Sequence, residues 1–211
     1  MRNRMSIDVL AVLSALAAAA TILASSCEFA PRSDGKLHAA LGTALAQEAV
    51  SLLGPDGQIT VMTRDTEAFP QPAIDLLRRS FTREVRRAGA LIAATQFIQV
   101  DPLRPVAVPP GDFYEVLRRS PASHVIVSFL GPPTLSRPQR ASLGRPTAKI
   151  VAFCPGTLVE AEALAELFEA GMLHSAVVSR RAVATRADPP TTPPRTFDQL
   201  YAVIKADPLT K

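Results

Sequence analysis

Apolar residues recur along the chain with two different periods, and these periods predict alternating helices and strands. Leucines and alanines recur at helical spacing from Leu37 to Leu52, where a Gly-Pro-Asp-Gly turn at 54–57 ends the helix. Short apolar or β-branched runs predict five strands, at 58–63, 91–98, 125–130, 149–153 and 175–179. Further helices are predicted after Pro70 and Pro72, from an N-cap at Asp112, over 159–170, and finally over 197–204.

Strands of the buried type that alternate with amphipathic helices are typical of βαβ units with a parallel sheet. We therefore expect residues 37–180 to form a three-layer α/β/α sandwich on a mainly parallel five-stranded sheet. Residues 28–36 form a short polar linker before this domain. Residues 181–211 are predicted to be a Pro-rich excursion followed by a C-terminal helix that docks back on the domain.

The first 27 residues have the pattern of an export signal. Arg2 and Arg4 precede an uncharged, Ala-rich run at 9–26 that ends at Cys27. The small residues just ahead of Cys27 resemble a bacterial lipobox, so one interpretation is cleavage and lipidation at Cys27. The other is an uncleaved hydrophobic helix that anchors the chain, with its arginines on the cytoplasmic side. Both interpretations place the rest of the chain in the cell envelope, outside the cytoplasm. A buried core helix is disfavoured because the run has no amphipathic period.

The amino-acid composition argues against several classes of protein. The 211 residues suit one domain. An aromatic content of 5% without tryptophan disfavours an aromatic stacking platform for sugars or for single-stranded nucleic acid. The net charge of +4 comes from arginines spread along the chain, so no nucleic-acid partner is expected. Two cysteines cannot form a disulfide framework.

The order of these segments resembles a known family. The helix ending AQEAVSLLG with the strand DGQITVMT, the helix IDLLRRSFTREVRRAG, the segment FYEVLRRSPASHVIVSFLG, and IVAFCPG followed by EALAELFEAGMLHSAVV match it in sequence order. Together, residues 37–180 resemble the C-terminal lobe of type I periplasmic solute-binding proteins, in the sugar-binding branch related to ribose-binding protein.

This resemblance implies a non-enzymatic module that recognises a small hydroxylated or anionic solute, or that serves in protein interaction. The family closes two lobes on its ligand, whereas only one lobe's length is present here. A second lobe from another chain, a homodimer and an envelope-protein partner therefore all stay open. The chain also departs from the family after its third strand, where Gly131-Pro132-Pro133 offers no polar ligand contact, and after its fourth, where Cys154 replaces a carboxylate.

Ligands of an open parallel sheet meet the carboxyl ends of its strands. The residues predicted there, our candidate ligand contacts, are Arg64, Asp65, Thr66, Gln99, Gly131, Cys154 and Arg180. Arg64 and Asp65 are the first choice, because a guanidinium and a carboxylate suit a hydroxylated or anionic ligand. The alternative is that these two residues pair with each other or cap the following helix.

No catalytic, cofactor or metal site is predicted. Cys154 lies between a strand and a helix, where a thiol can become a nucleophile, and an enzyme that uses Cys154 is the alternative function. Against it, His124 and His174 precede strands, at the opposite end of the sheet, so Cys154 is expected to be a buried apolar residue. The three histidines lack metal-ligand spacing, and neither a phosphate-binding glycine loop nor a nucleophile elbow occurs.

Five arginines at 78, 79, 83, 86 and 87 crowd one face of the second predicted helix. They suit either anionic lipid headgroups or an acidic partner. The simpler interpretation is a solvated helix face, partly neutralised by Asp75 and Glu84.

Overall fold

The computed structural model describes residues 35–67, 69–99, 108–143, 148–155, 161–180 and 196–206. The helices in this part of the chain are α1 (Gly35–Leu52), α2 (Pro72–Arg87), α3 (Pro110–Arg119), α4 (Arg137–Leu143), α5 (Ala161–Glu169) and α6 (Phe197–Leu200). The strands are β1 (Ile59–Arg64), β2 (Ile92–Ile98), β3 (Val125–Ser128), β4 (Lys149–Cys154), β5 (Ser175–Ser179) and β6 (Tyr201–Lys205).

The strands form one sheet in the order β2-β1-β3-β4-β5-β6. Strands β1 to β5 run parallel to one another, with Ile59 opposite Val125 and Val125 opposite Lys149. The predicted α/β class with a mainly parallel sheet is thus confirmed. The chain order departs from the spatial order at β2 and β1, which places β2 at an edge of the sheet.

The predicted C-terminal helix over 197–204 is wrong. Only Phe197–Leu200 is helical, and Tyr201–Lys205 forms a sixth strand antiparallel to β5, with Val177 opposite Val203. The segment YAVIK alternates as a strand does, so Ala202 and Ile204 pack against one face of the sheet and Tyr201 against the other. Strand formation satisfies backbone groups along β5 that a docked helix would leave unpaired.

Helices cover both faces of the sheet. On one face, α1 and α2 pack over the strands through a cluster that includes Leu45, Phe81 and Val127. On the other face, α3 and α5 pack through a cluster that includes Phe113, Leu164 and Ile126. Strand β3 is buried at all four positions because its side chains enter both clusters.

Two helix boundaries show how the chain turns. Gly89 follows the end of α2 with a φ of +73°, a left-handed conformation that glycine adopts readily at the C-terminus of a helix. Asp112, by contrast, is not the N-cap of α3: the helix begins at Pro110 with Pro109 at the N-cap position, and Asp112 lies in its first turn. Two successive prolines fix the backbone there, so a side-chain cap is not needed to start the helix.

Several sequence predictions lie outside the described residues. These are the N-terminal segment with Cys27, residues 28–34 of the linker predicted over 28–36, and the excursion over 181–195. The last two residues of the predicted linker, 35 and 36, instead begin α1. Among the helices in the described ranges, none is long and apolar enough to cross a membrane.

Gly42 sets the approach of α1 to α2, and its replacement tests this packing. A Cβ atom at Gly42 would lie 2.4 Å from the backbone oxygen of Leu77. We expect Gly42→Ala to lower the free energy of unfolding in urea by about 1–3 kcal/mol, the usual effect of overpacking. Gly111→Ala is the control: a Cβ there meets nothing within 4 Å, and alanine favours the helix by up to about 1 kcal/mol. Equal effects of the two substitutions would contradict this account.

Candidate functional site

The carboxyl ends of the five parallel strands meet at one edge of the sheet, which we call the strand-end rim. Arg64, the last residue of β1, lies opposite Ile98 of β2, and Cys154 of β4 lies opposite Val178 of β5. The rim thus contains all the candidate ligand contacts, namely Arg64, Asp65, Thr66, Gln99, Gly131, Cys154 and Arg180.

Arg64 occupies an unusual place on this rim. It follows Met62 by two residues, so its side chain leaves β1 on the apolar face that α3 and α5 cover. Its backbone neighbour Ile98 belongs to that apolar cluster. Arg64 is half-buried, its Nε is fully buried, and that atom has no hydrogen-bond partner in the described part of the chain. A buried N–H donor without a partner costs free energy, which a bound acceptor would recover.

Asp65 does not supply the missing partner. Its backbone N–H donates to the Ile98 carbonyl at 2.9 Å, and its Oδ1 accepts from the backbone N–H of Glu67 at 3.0 Å. Because Asp65 continues the ladder of β1 by one residue, its side chain leaves on the face opposite Arg64. No ion pair joins the two residues among the described ones. The carboxylate therefore shapes the turn after β1 and leaves the buried Nε of Arg64 without a partner among the described residues.

The turn after β1 is fixed to α2. Thr66 Oγ1 donates to Asp75 Oδ1 at 3.4 Å, and Arg78 Nη2 lies 3.5 Å from the same oxygen. Thr63, the residue before Arg64, faces the helices α1 and α2 with 1% of its surface exposed. Its Oγ1 is a second buried polar atom without a partner in the described ranges. Nothing in the sequence signals that the hydroxyl of Thr63 lacks a partner among the described residues.

Strand spacing divides the rim into two halves. Neighbouring strands are about 4.8 Å apart, so Arg64 on β1 is one strand from both Gln99 and Gly131 and three strands, or about 14 Å, from Arg180. Gln99 is exposed, and Gly131 is buried with a φ of +108°. Arg180 donates through Nε to the backbone oxygen of Asp198. Because Arg180 is engaged with Asp198 and lies three strands from Arg64, we take the half of the rim around β1, β2 and β3 as the candidate site.

Cys154 is buried in the apolar cluster with 3% of its surface exposed. Burial raises the pKa of its thiol to about 12. Because the thiolate is the nucleophile, this environment opposes covalent catalysis near neutral pH. Its surroundings match the interpretation of Cys154 as a buried apolar residue.

Comparisons with known proteins show only a similarity of backbone fold. No protein-family model matches the chain, and no curated protein matches it. Among solved structures, a periplasmic ribose ABC transporter protein from Conexibacter woesei is similar with 14% identity and a TM-score of 0.46, over 67% of this chain and 45% of that one. An arabinose-binding protein from Geobacillus stearothermophilus is similar with 18% identity and a TM-score of 0.46, over 67% of this chain and 45% of that one. A solute-binding protein from Burkholderia graminis is similar with 16% identity and a TM-score of 0.47, over 69% of this chain and 48% of that one.

The chain thus spans about half the length of the solved proteins it matches. By name they are a periplasmic ribose ABC transporter, an arabinose-binding protein and a solute-binding protein in complex with D-arabinose. At these identities and TM-scores the likeness carries no conclusion about ligand or activity. The fold of the described residues rests on their own strand order and pairing.

The burial of Cys154 predicts its reactivity. At neutral pH, a rise of the pKa from 9.0 to about 12 leaves the folded protein with roughly a thousand-fold less thiolate than the unfolded chain. We expect iodoacetamide to modify Cys154 at pH 7.5 at least 100-fold more slowly in buffer than in urea. Peptide mass mapping, which separates Cys154 from Cys27, measures both rates. Rapid modification of the folded protein would instead favour the enzyme alternative.

Proposed function

We propose that this protein is a non-enzymatic recognition module of the cell envelope that binds a small anionic or hydroxylated solute at the strand-end rim. The observation that carries the proposal is the half-buried guanidinium of Arg64, whose Nε is buried without a partner among the described residues. Oxygen atoms of a carboxylate, a phosphate or a sugar hydroxyl accept such a hydrogen bond, and a charged donor strengthens it. Gln99 and Thr66, one strand away and two residues away, add neutral polar groups to the same half of the rim.

The membrane attachment belongs to the same proposal and rests on the sequence. The basic residues and the apolar run before Cys27 favour either a lipidated N-terminus or an anchor helix. Either arrangement would hold the domain outside the cytoplasm, where it would meet solutes of the envelope.

Because the Nε of Arg64 has no partner among the described residues, its removal is not expected to destabilise the ligand-free protein. Replacing Arg64 with methionine keeps an apolar side chain as far as the position of Nε and removes the buried N–H donor together with the rest of the guanidinium. We expect Arg64→Met to leave the free energy of unfolding in urea unchanged or to raise it by about 1 kcal/mol. Arg119→Met, an exposed position at the far end of α3 that pairs with Glu115 at 3.0 Å, serves as the control and should change it by less than about 0.5 kcal/mol. A loss of more than about 2 kcal/mol for Arg64→Met would make Arg64 a structural residue.

Solute binding is tested by thermal denaturation of the full chain in mild detergent. The panel consists of pentoses, hexoses, polyols, amino acids, phosphate, sulfate and small carboxylates. A solute at 100 times its Kd stabilises the protein by about 2.7 kcal/mol, which raises the Tm by roughly 5–10 °C. We expect at least one member of the panel to raise the Tm, Arg64→Met to abolish the effect, and Arg119→Met to preserve it. A flat response of the cooperatively folded protein, or a response that survives Arg64→Met, would overturn the proposal.

A further inference from the structure

The edge strand β2 and the arginine face of α2 form a second surface, which the proposed function does not use. Five consecutive residues of β2, 93–97, are exposed, although β1, the strand beside it, is almost entirely buried. Phe97 is 49% exposed and Leu91, just before β2, is 64% exposed. Such a strand is an open template for pairing with another chain.

The backbone groups at the free edge of β2 can be assigned from the ladder. The carbonyl of Ile98 accepts from Asp65 N, so Ile98 points its backbone groups toward β1. Successive residues alternate in this direction, so the N–H and C=O groups of Thr95 and Phe97 point away from β1. In the sheet of the described residues, β2 has no neighbour on that side. An incoming strand would therefore pair with Thr95 and Phe97.

Arginines of α2 stand beside this free edge. Arg78, Arg79, Arg83 and Arg86 line an open groove of about 450 Å³ together with Thr82 and with Thr95 of β2. The guanidinium carbon of Arg78 lies 5.9 Å from the centroid of the Phe97 ring, which ties the helix face to the strand. Arg79 and Arg86 form no ion pair within the described part of the chain.

Of the four arginines in the groove, only Arg78 pairs with an acidic residue in the described part of the chain. Asp75 pairs with Arg78 at 3.5 Å, and Glu84 pairs with Arg87 at 2.6 Å. In the described part of the chain, Arg83 donates to the hydroxyl of Ser80 at 3.3 Å and forms no ion pair. The surface therefore has unmatched positive charge beside backbone groups that have no partner in the described sheet. One bound partner could supply both the negative charge and the backbone hydrogen bonds.

We propose that β2 and α2 together bind an extended acidic segment of a partner protein, which adds a strand to the sheet at β2. Alternate residues of such a strand lie roughly 6.7 Å apart on one face. Arg79, Arg83 and Arg86 rise along α2 over about 10 Å. Two or three carboxylates at alternate positions of the segment therefore face the arginines, while its backbone bonds with Thr95 and Phe97.

Charge excludes a second copy of this chain as the occupant. Antiparallel pairing of two β2 strands around a two-fold axis would place both α2 helices on the same side of the joined sheet. The two arginine rows would then face each other across the interface, and like charges at close range oppose association. An acidic segment removes this repulsion and supplies the missing partners.

Fluorescence anisotropy of a labelled decapeptide that alternates glutamate and threonine tests the proposal on the full chain in mild detergent. Two variants separate its two components. Arg79→Glu with Arg83→Glu reverses the charge of the groove. Thr95→Pro removes one outward N–H without removing a bond to β1, which an edge strand tolerates. Arg118→Glu with Arg119→Glu applies the same charge change to α3 as a matched control.

We expect each of the two test variants to weaken peptide binding at least tenfold and the control pair to change it less than threefold. No binding to the unmodified chain would overturn the proposal. So would a loss on charge reversal with no effect of Thr95→Pro, because the patch would then attract anions without pairing a strand. Displacement of the peptide by phosphatidylglycerol in the micelles, with Thr95→Pro again without effect, would assign the surface to lipid headgroups.

Discussion

Strands β3 and β4 carry apolar side chains on both faces, and both faces need a helical layer to exclude water. This burial determines the three-layer architecture. It brings α1 and α2 against one face and α3 and α5 against the other, and it requires close contacts such as that of Gly42 with α2. Burying polar side chains without a partner at the centre of such a sheet costs free energy. They are therefore displaced to the strand ends and to the edge strands, where both proposed binding surfaces lie.

The two surfaces differ in how they use unsatisfied polar groups. At the strand-end rim, one guanidinium reaches into the edge of an apolar cluster and lacks a partner for its buried Nε. This arrangement suits a small solute, because a few well-placed donors decide its orientation. Along β2, the unsatisfied groups belong to the backbone and are distributed over several residues beside a row of charges. This arrangement suits an extended chain, which offers complementary groups at a regular interval.

Local patterns predict most of the sheet but not its edges. The run QITVMT predicts β1 well because continuous β-branched and apolar residues suit a strand buried on both faces. The segment from Phe197 to Ile204 is ambiguous, because apolar residues at 197, 200, 201 and 204 suit a helix and YAVIK suits a strand. The free edge of β5 decides between them, and that edge exists only once the sheet has formed. The exposure of β2 likewise follows from the strand order, which cannot be predicted from the local periodicity of apolar residues.

The candidate site was predictable to a similar degree. The rule that ligands meet strand ends places Arg64 correctly at the rim. The same rule also places Arg180 there, although the strand order separates Arg180 from Arg64 by three strands. The free Nε of Arg64 depends on Asp65 turning to the Glu67 amide, a tertiary detail. The most direct measurement is therefore NMR of arginine Nε–Hε groups while a small anion such as phosphate is added. The account predicts a resolved, slowly exchanging Arg64 signal that shifts on binding, while the signals of Arg79, Arg83 and Arg86 change little. A static Arg64 signal, or equal shifts of all arginines, would contradict it.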